Sequence, residues 1–166
     1  MDVALVITGA PLAARAEDLI SALDELGHHV TAVPSEAARS WTRIDDRWLP
    51  SGRIRPDVLL VAPATFNTLN KWAAGVNDTN VLGLLNDALG LGIPILAVPM
   101  VAERLAAHPV WPKTLALLSD AGVDLLDPTT GSCTATPAPI ASGTGEQISR
   151  QFQPAWIQNW LSGSKQ

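Results

Sequence analysis

Three stretches of consecutive apolar residues, VALVI from Val3, VLLVA from Val58 and ILAV from Ile95, are separated by segments whose apolar residues recur every three to four positions. A strand that is apolar along its whole length leaves no face for water. Such strands belong in a parallel sheet covered by helices on both sides. The first strand is expected over residues 2–8. After the Gly9-Ala10-Pro11 turn, Leu12, Ala16, Leu19, Ile20, Leu23 and Leu26 recur at helical spacing until Gly27 ends the helix. Further strands are expected at 29–34, 57–62, 93–98 and 124–126, and helices at 65–74, 80–89 and 110–121. Residues 40–56, with Trp41, Trp48, Pro50, Gly52 and several arginines, show no clean period and read as an irregular connection holding one short helix.

Right-handed crossovers turn this order into a three-layer, doubly wound parallel sheet of the Rossmann or flavodoxin-like kind, an α/β fold. Residues 1–127 form its main body. Residues 128–145, rich in Gly, Pro, Ser and Thr, are too long for a plain connector and are expected to form a flexible clamp. Residues 146–161 are expected to form a terminal helix with Trp156, Ile157 and Trp160 on one side, and 162–166 a fraying tail. A chain of 166 residues buries roughly 70% of its unfolded surface, enough for a core without disulfides, and its single cysteine, Cys133, has no internal partner. The formal charge of −5 comes without any Lys/Arg cluster, which argues against nucleic acid as a partner. The apolar runs are far shorter than the ~20 residues of a bilayer span. The opening MDVALVITGAP carries an acid at its second position and its apolar run stops at Gly9, so it does not read as a secretory signal; a cytoplasmic address is expected.

In such a fold ligands sit outside the carboxyl ends of the strands. Those ends carry neither three glycines in the first turn nor a G-x-x-x-x-G-K-[ST] run, which argues against NAD and ATP. They do carry a small-residue turn from Gly9, the hydroxyl of Ser35 after strand two, and Thr65, Asn67 and Thr68 at the start of the following helix. Helix N-termini with hydroxyl and amide side chains make a neutral cradle for a phosphate monoester, and FMN fits that description. The other reading of the same residues is that Ser35 and Thr65 are ordinary helix caps and Asn67 an ordinary polar residue.

The stretch from Val61 to Asp78, VAPATFNTLNKWAAGVND, resembles the Pro-x-Ser-Ala-Asn-Thr and Lys-x-Ala-x-Gly-x-x-Asp pattern of the homo-oligomeric flavin-containing cysteine decarboxylases. That family includes phosphopantothenoylcysteine decarboxylases, the peptidyl-cysteine decarboxylases of lantibiotic-type pathways and, more distantly, flavin prenyltransferases. Residues Thr8 to Ala14 are similar to its Gly-Ser-Ile-Ala-Ala turn, Val33 to Ala38 to its Thr-x-x-Ala segment, and Val98-Pro99-Met100 with His108-Pro109 to its Pro-Ala-Met-Asn and His-Pro stretch. The resemblance implies FMN as cofactor. It assigns the phosphate to Gly9, Ala10, Pro11, Leu12, Ala13 and Ser35, the surroundings of the phosphate and ring edge to Pro63, Ala64, Thr65, Asn67 and Thr68, and the neighbourhood of the ring system to Met100. It also implies a homo-oligomer, trimer or dodecamer, with the cofactor at subunit boundaries; Trp72 and Trp111 suit either an interface or the core.

In that family a histidine shortly before strand three serves as base at the substrate cysteine, and an asparagine after the methionine helps fix the substrate carboxylate. Neither is present: residues 47–56 hold no histidine, and Val101 follows Met100. The reaction oxidises a thiol to a thioaldehyde, and the carboxylate then leaves as CO2. For the missing roles the catalytic residue is open. Arg53, with Arg55, is a carboxylate clamp or a solvated charge; Glu103 is a base or a solvent-facing acid; Cys133 is a clamp thiol or an incidental one. His108 is expected to cap or pack beside Pro109, and His28 and His29 to sit as helix-terminal partners. No Cys/His cluster has metal-ligand spacing. The functions implied are oxidative decarboxylation of a peptidyl cysteine, supplied as a precursor peptide, or of a small thiol acid; a non-catalytic flavin-binding subunit beside a His-bearing paralogue; and flavin prenyl transfer.

Overall fold

The computed structural model describes residues 1–163. Five strands, β1 (Asp2–Ile7), β2 (His29–Pro34), β3 (Val58–Ala64), β4 (Ile95–Pro99) and β5 (Val123–Leu125), form one sheet in the order β2-β1-β3-β4-β5. Every pairing is parallel, with Val3 level with Val30 and Val58, Leu60 with Leu96, and Ile95 with Val123. Successive residues face opposite sides of a strand, so an apolar run fills two cores at once. Val3, Leu5, Ile7, Leu60, Ala62, Leu96 and Val98 pack on one side with α1 (Ala16–Asp24), α6 (Gly145–Gln151) and α7 (Pro154–Gly163). Ala4, Val6, Leu59, Val61, Ile95 and Ala97 pack on the other with α2 (Phe66–Ala73), α3 (Asn80–Gly90) and α5 (Val110–Asp120). The expected three-layer α/β architecture is therefore present, and Trp72 and Trp111 both belong to its core.

Several local expectations are corrected. The first helix opens with a tight 3-10 turn, Pro11–Arg15, because Pro11 starts it and Ala10 offers no capping side chain. The 40–56 connection has no α-helix; 3-10 turns cover Ala37–Ser40 and Asp46–Trp48. The terminal helix is two. Phe152 turns to extended backbone before Pro154, and the Arg15 guanidinium donates to the carbonyls of Ser149 and Phe152, both at 2.8 Å, satisfying the end of α6. Phe152 is buried there, edge-on to Trp156 with ring centroids 5.1 Å apart. Ser162 and Gly163 continue α7, and the remainder of the expected fraying tail lies outside the described residues.

Candidate functional site

The strand order places the crossovers leaving β1 and β3 on opposite faces of the sheet, which opens a crevice at their carboxyl ends. Its floor is set by Thr8. The buried hydroxyl donates to the Pro63 carbonyl at 2.8 Å and accepts from the Thr65 N–H at 3.0 Å, locking the end of β1 to the start of α2. On the other side, the Ser35 N–H donates to the Ile7 carbonyl at 2.8 Å. Gly9 lies so close to Ala37 that a Cβ there would come within 2.7 Å of the Ala37 Cβ.

Two cavities adjoin above this floor and share Gly9, Thr65 and Asn67 in their walls. One, of about 680 Å³, is mainly apolar, with Ala10, Pro11, Trp41, Phe66, Met100, Val101, Leu105 and Ile140 around it. The other, of about 580 Å³, has more polar groups in a still largely apolar lining, with Ser35, Thr68, Lys71, Arg39 and Asn80 among its walls. Residues of the first turn of α2 line both, Phe66 and Asn67 the first and Asn67 and Thr68 the second, and the first four N–H groups of a helix have no intrahelical partner. Thr65 caps that helix: its hydroxyl oxygen accepts from the Thr68 N–H at 3.4 Å and donates to the Thr68 hydroxyl at 3.0 Å. Ser35 likewise accepts from the Ala38 N–H at 3.2 Å. Thr65 is thus a helix cap and Ser35 a brace on the 3-10 turn that follows it, and both also line the crevice.

Of the residues expected at the cofactor, Gly9, Ala10, Pro11, Ser35, Thr65, Asn67, Thr68 and Met100 line these two cavities. Leu12, Ala13, Pro63 and Ala64 do not; all four are buried beneath them. The reason is hydrogen bonding. The Leu12 N–H points at the Met100 sulfur, 3.4 Å away, and the Ala13 N–H donates to the Ala10 carbonyl at 2.8 Å. The Ala64 carbonyl accepts from the Met100 N–H at 2.9 Å, so these four hold the floor together.

The 128–145 segment roofs the apolar cavity with Ile140 to Gly143 and is held there by hydrogen bonds. Ile140 exchanges backbone hydrogen bonds with Val101 and Glu103, at 2.7 and 3.0 Å. The buried Asp127 organises the rest: one carboxylate oxygen accepts from the Thr129 N–H and hydroxyl and the Thr130 N–H, the other from the Ala138 N–H at 2.8 Å. Burial pushes this carboxyl up, but the hydrogen bonds from Thr129, Ala138 and Thr130 outweigh it and hold the group below the usual aspartate value.

The three open catalytic candidates lie elsewhere. Arg53 lines a third cavity, of about 930 Å³, with Asn77 and Asp78, which adjoins the second through Pro34, Arg39, Thr79, Asn80 and Val81; Glu103 is exposed and lines neither crevice cavity; Cys133 is exposed beside β5, where partial burial and the Asp124 carboxylate push its thiol up. His108 accepts from the Val110 N–H at 3.0 Å, the capping role expected of it, and His29 pairs with Asp2 at the amino edge of the sheet. Among the described residues no histidine lines the crevice, and no three His, Cys, Asp or Glu side chains could hold a metal. The ionisable residues on the apolar cavity are instead Arg104, from α4 (Glu103–Ala106), and Glu146, from the first turn of α6. Neither carried a motif in the sequence.

A family model described as Flavoprotein matches residues 39–149. The chain is 26% identical over 145 residues to a probable phosphopantothenoylcysteine decarboxylase of Streptococcus mutans, covering 75% of this chain and 80% of that one. It is 32% identical over 74 residues to the coenzyme A biosynthesis bifunctional protein of Thermococcus kodakarensis, 45% of this chain but only 18% of that protein's length. The fold matches the crystal structure of TvaF, an FMN-dependent cysteine decarboxylase from thioviridamide biosynthesis, with a TM-score of 0.66 and 19% identity over 77% of this chain and 90% of the other.

Proposed function

The chain belongs to the flavoprotein family, and from that premise we propose that it binds FMN in the crevice between β1 and β3 and oxidatively decarboxylates a thiol acid such as a C-terminal peptidyl cysteine. The observation that carries the reading is the pair of adjoining cavities, one mainly apolar and one with more polar groups in its wall, meeting at Gly9, Thr65 and Asn67. A phosphate monoester suits the more polar one. Ser35 and the N-terminus of α2 offer neutral donors there, while Arg39 and Lys71, also in the wall, are each paired with a carboxylate, Glu36 and Asp78. A flat, apolar three-ring system suits the other, against Met100 and beneath Ile140.

When bound, FMN supplies a two-electron acceptor. The chain's own contribution is exclusion of water by the Ile140 roof, anchoring of the cofactor through α2, and orientation of the substrate in the apolar cavity. The proposal includes assembly as a homotrimer or dodecamer, in which a second copy would cover Trp41, a wall residue of the apolar cavity that is 41% exposed. A second reading is a flavin-binding subunit that depends on a His-bearing paralogue; the crevice lacks any histidine among the described residues, and that favours it.

Anaerobic incubation with peptides ending in cysteine separates the two. Bleaching of the flavin absorbance together with loss of the mass of CO2 plus two hydrogens is expected of the enzyme. A flavin-loaded protein that no cysteine peptide bleaches contradicts decarboxylation by this chain alone.

A further inference from the structure

We propose that Arg104 is the residue that reads the substrate's carboxylate, a role that rests on the cavity's being the substrate site. Val101, the residue after Met100, is buried and apolar and donates nothing from its side chain. Around the apolar cavity the single side-chain cation among the described residues is Arg104. Arg15, Arg39, Arg47 and Arg150 each have a carboxylate within 4.0 Å, whereas no carboxylate of the described residues approaches Arg104 that closely. Its guanidinium fork, the shape that binds a carboxylate through two parallel hydrogen bonds, is therefore unused.

Two features fix the backbone around that exposed side chain. The Glu103 N–H donates to the Ile140 carbonyl, which fastens the start of α4 to the roof of the cavity. Glu146 stands on the wall formed by α6, which is held against the first turn by a contact so close that a Cβ on Gly145 would lie 2.9 Å from Pro11. A carboxylate entering the cavity is attracted by Arg104 and repelled by Glu146. One orientation results, with the acid at α4 and the rest of the substrate over Met100.

The test is calorimetric titration of the protein as purified with a peptide ending in S-methylcysteine, which cannot be oxidised to the thioaldehyde, and with its C-terminal amide. The wild type is expected to prefer the acid by ~10-fold or more, the usual worth of a charge-assisted hydrogen-bonded pair. Arg104→Leu should erase the preference and leave the amide's affinity within about two-fold, and Arg104→Lys should restore part of it. Equal affinities in the wild type, no binding of either peptide, or an unchanged preference in Arg104→Leu overturns the proposal. Flavin absorbance of the same samples reports on the cofactor separately: protein without flavin contradicts FMN binding, while flavin-loaded protein without a preference contradicts Arg104 alone.

Discussion

Gly9 and Asn67 carry different burdens at the same spot. Gly9 is small because Ala37 presses on it, so Gly9→Ala should cost about 1–3 kcal/mol of overpacking and lower the melting temperature by several degrees. Gly90, at the end of α3 with nothing within 4 Å, is the control: Gly90→Ala should leave stability unchanged or raise it by up to about 1 kcal/mol. Asn67→Asp should separate binding from folding. A carboxylate in the first turn of α2 suits the helix dipole, so the melting temperature should hold or rise, while FMN retention falls because the new charge faces the phosphate. Unchanged flavin content in Asn67→Asp contradicts its place at the cofactor. These residues were legible in the sequence because each lies just past the carboxyl end of a strand, where the chain order alone says ligands bind. Arg104, Glu146 and Asp127 were not. They reach the crevice or its roof only after the 128–145 segment has closed on Val101 and α6 has packed on the first turn, events of long sequence range that leave no local pattern.

Among the elements, the roof depends on one carboxylate. Asp127→Ala would strip the partner from three N–H groups and a hydroxyl and should cost about 2–4 kcal/mol by chemical denaturation. Because the folded carboxyl is held below its unfolded value, its contribution is fully present above about pH 4 and is lost as pH falls through the folded value. Asp127→Asn should therefore flatten the acid limb of the stability curve; an unchanged acid limb contradicts this assignment. The Gly, Pro, Ser and Thr that mark this segment as a loop in the sequence also let the chain wrap around an acceptor, which no local pattern announces. Trp156 presses on Gly131, whose φ of 72° lies in the left-handed region, and closes the segment from the other side. The break between α6 and α7 was written in Pro154, yet the helical spacing of Trp156, Ile157 and Trp160 masked it.

At the scale of the whole molecule, the alternation of continuous apolar runs with helical periods was sufficient to specify five parallel strands and two covered faces, and with them the crevice. No helix of the described residues is long and apolar enough to cross a membrane. The two adjoining cavities are proposed to form one site for a phosphorylated three-ring ligand. Fluorescence titration of cofactor-stripped protein with FMN and with riboflavin tests this directly. Saturation is expected at one FMN per chain, with riboflavin bound at least ~10-fold more weakly for want of the phosphate; equal affinity for the two, or no saturable binding of FMN, would contradict a single phosphate-anchored site.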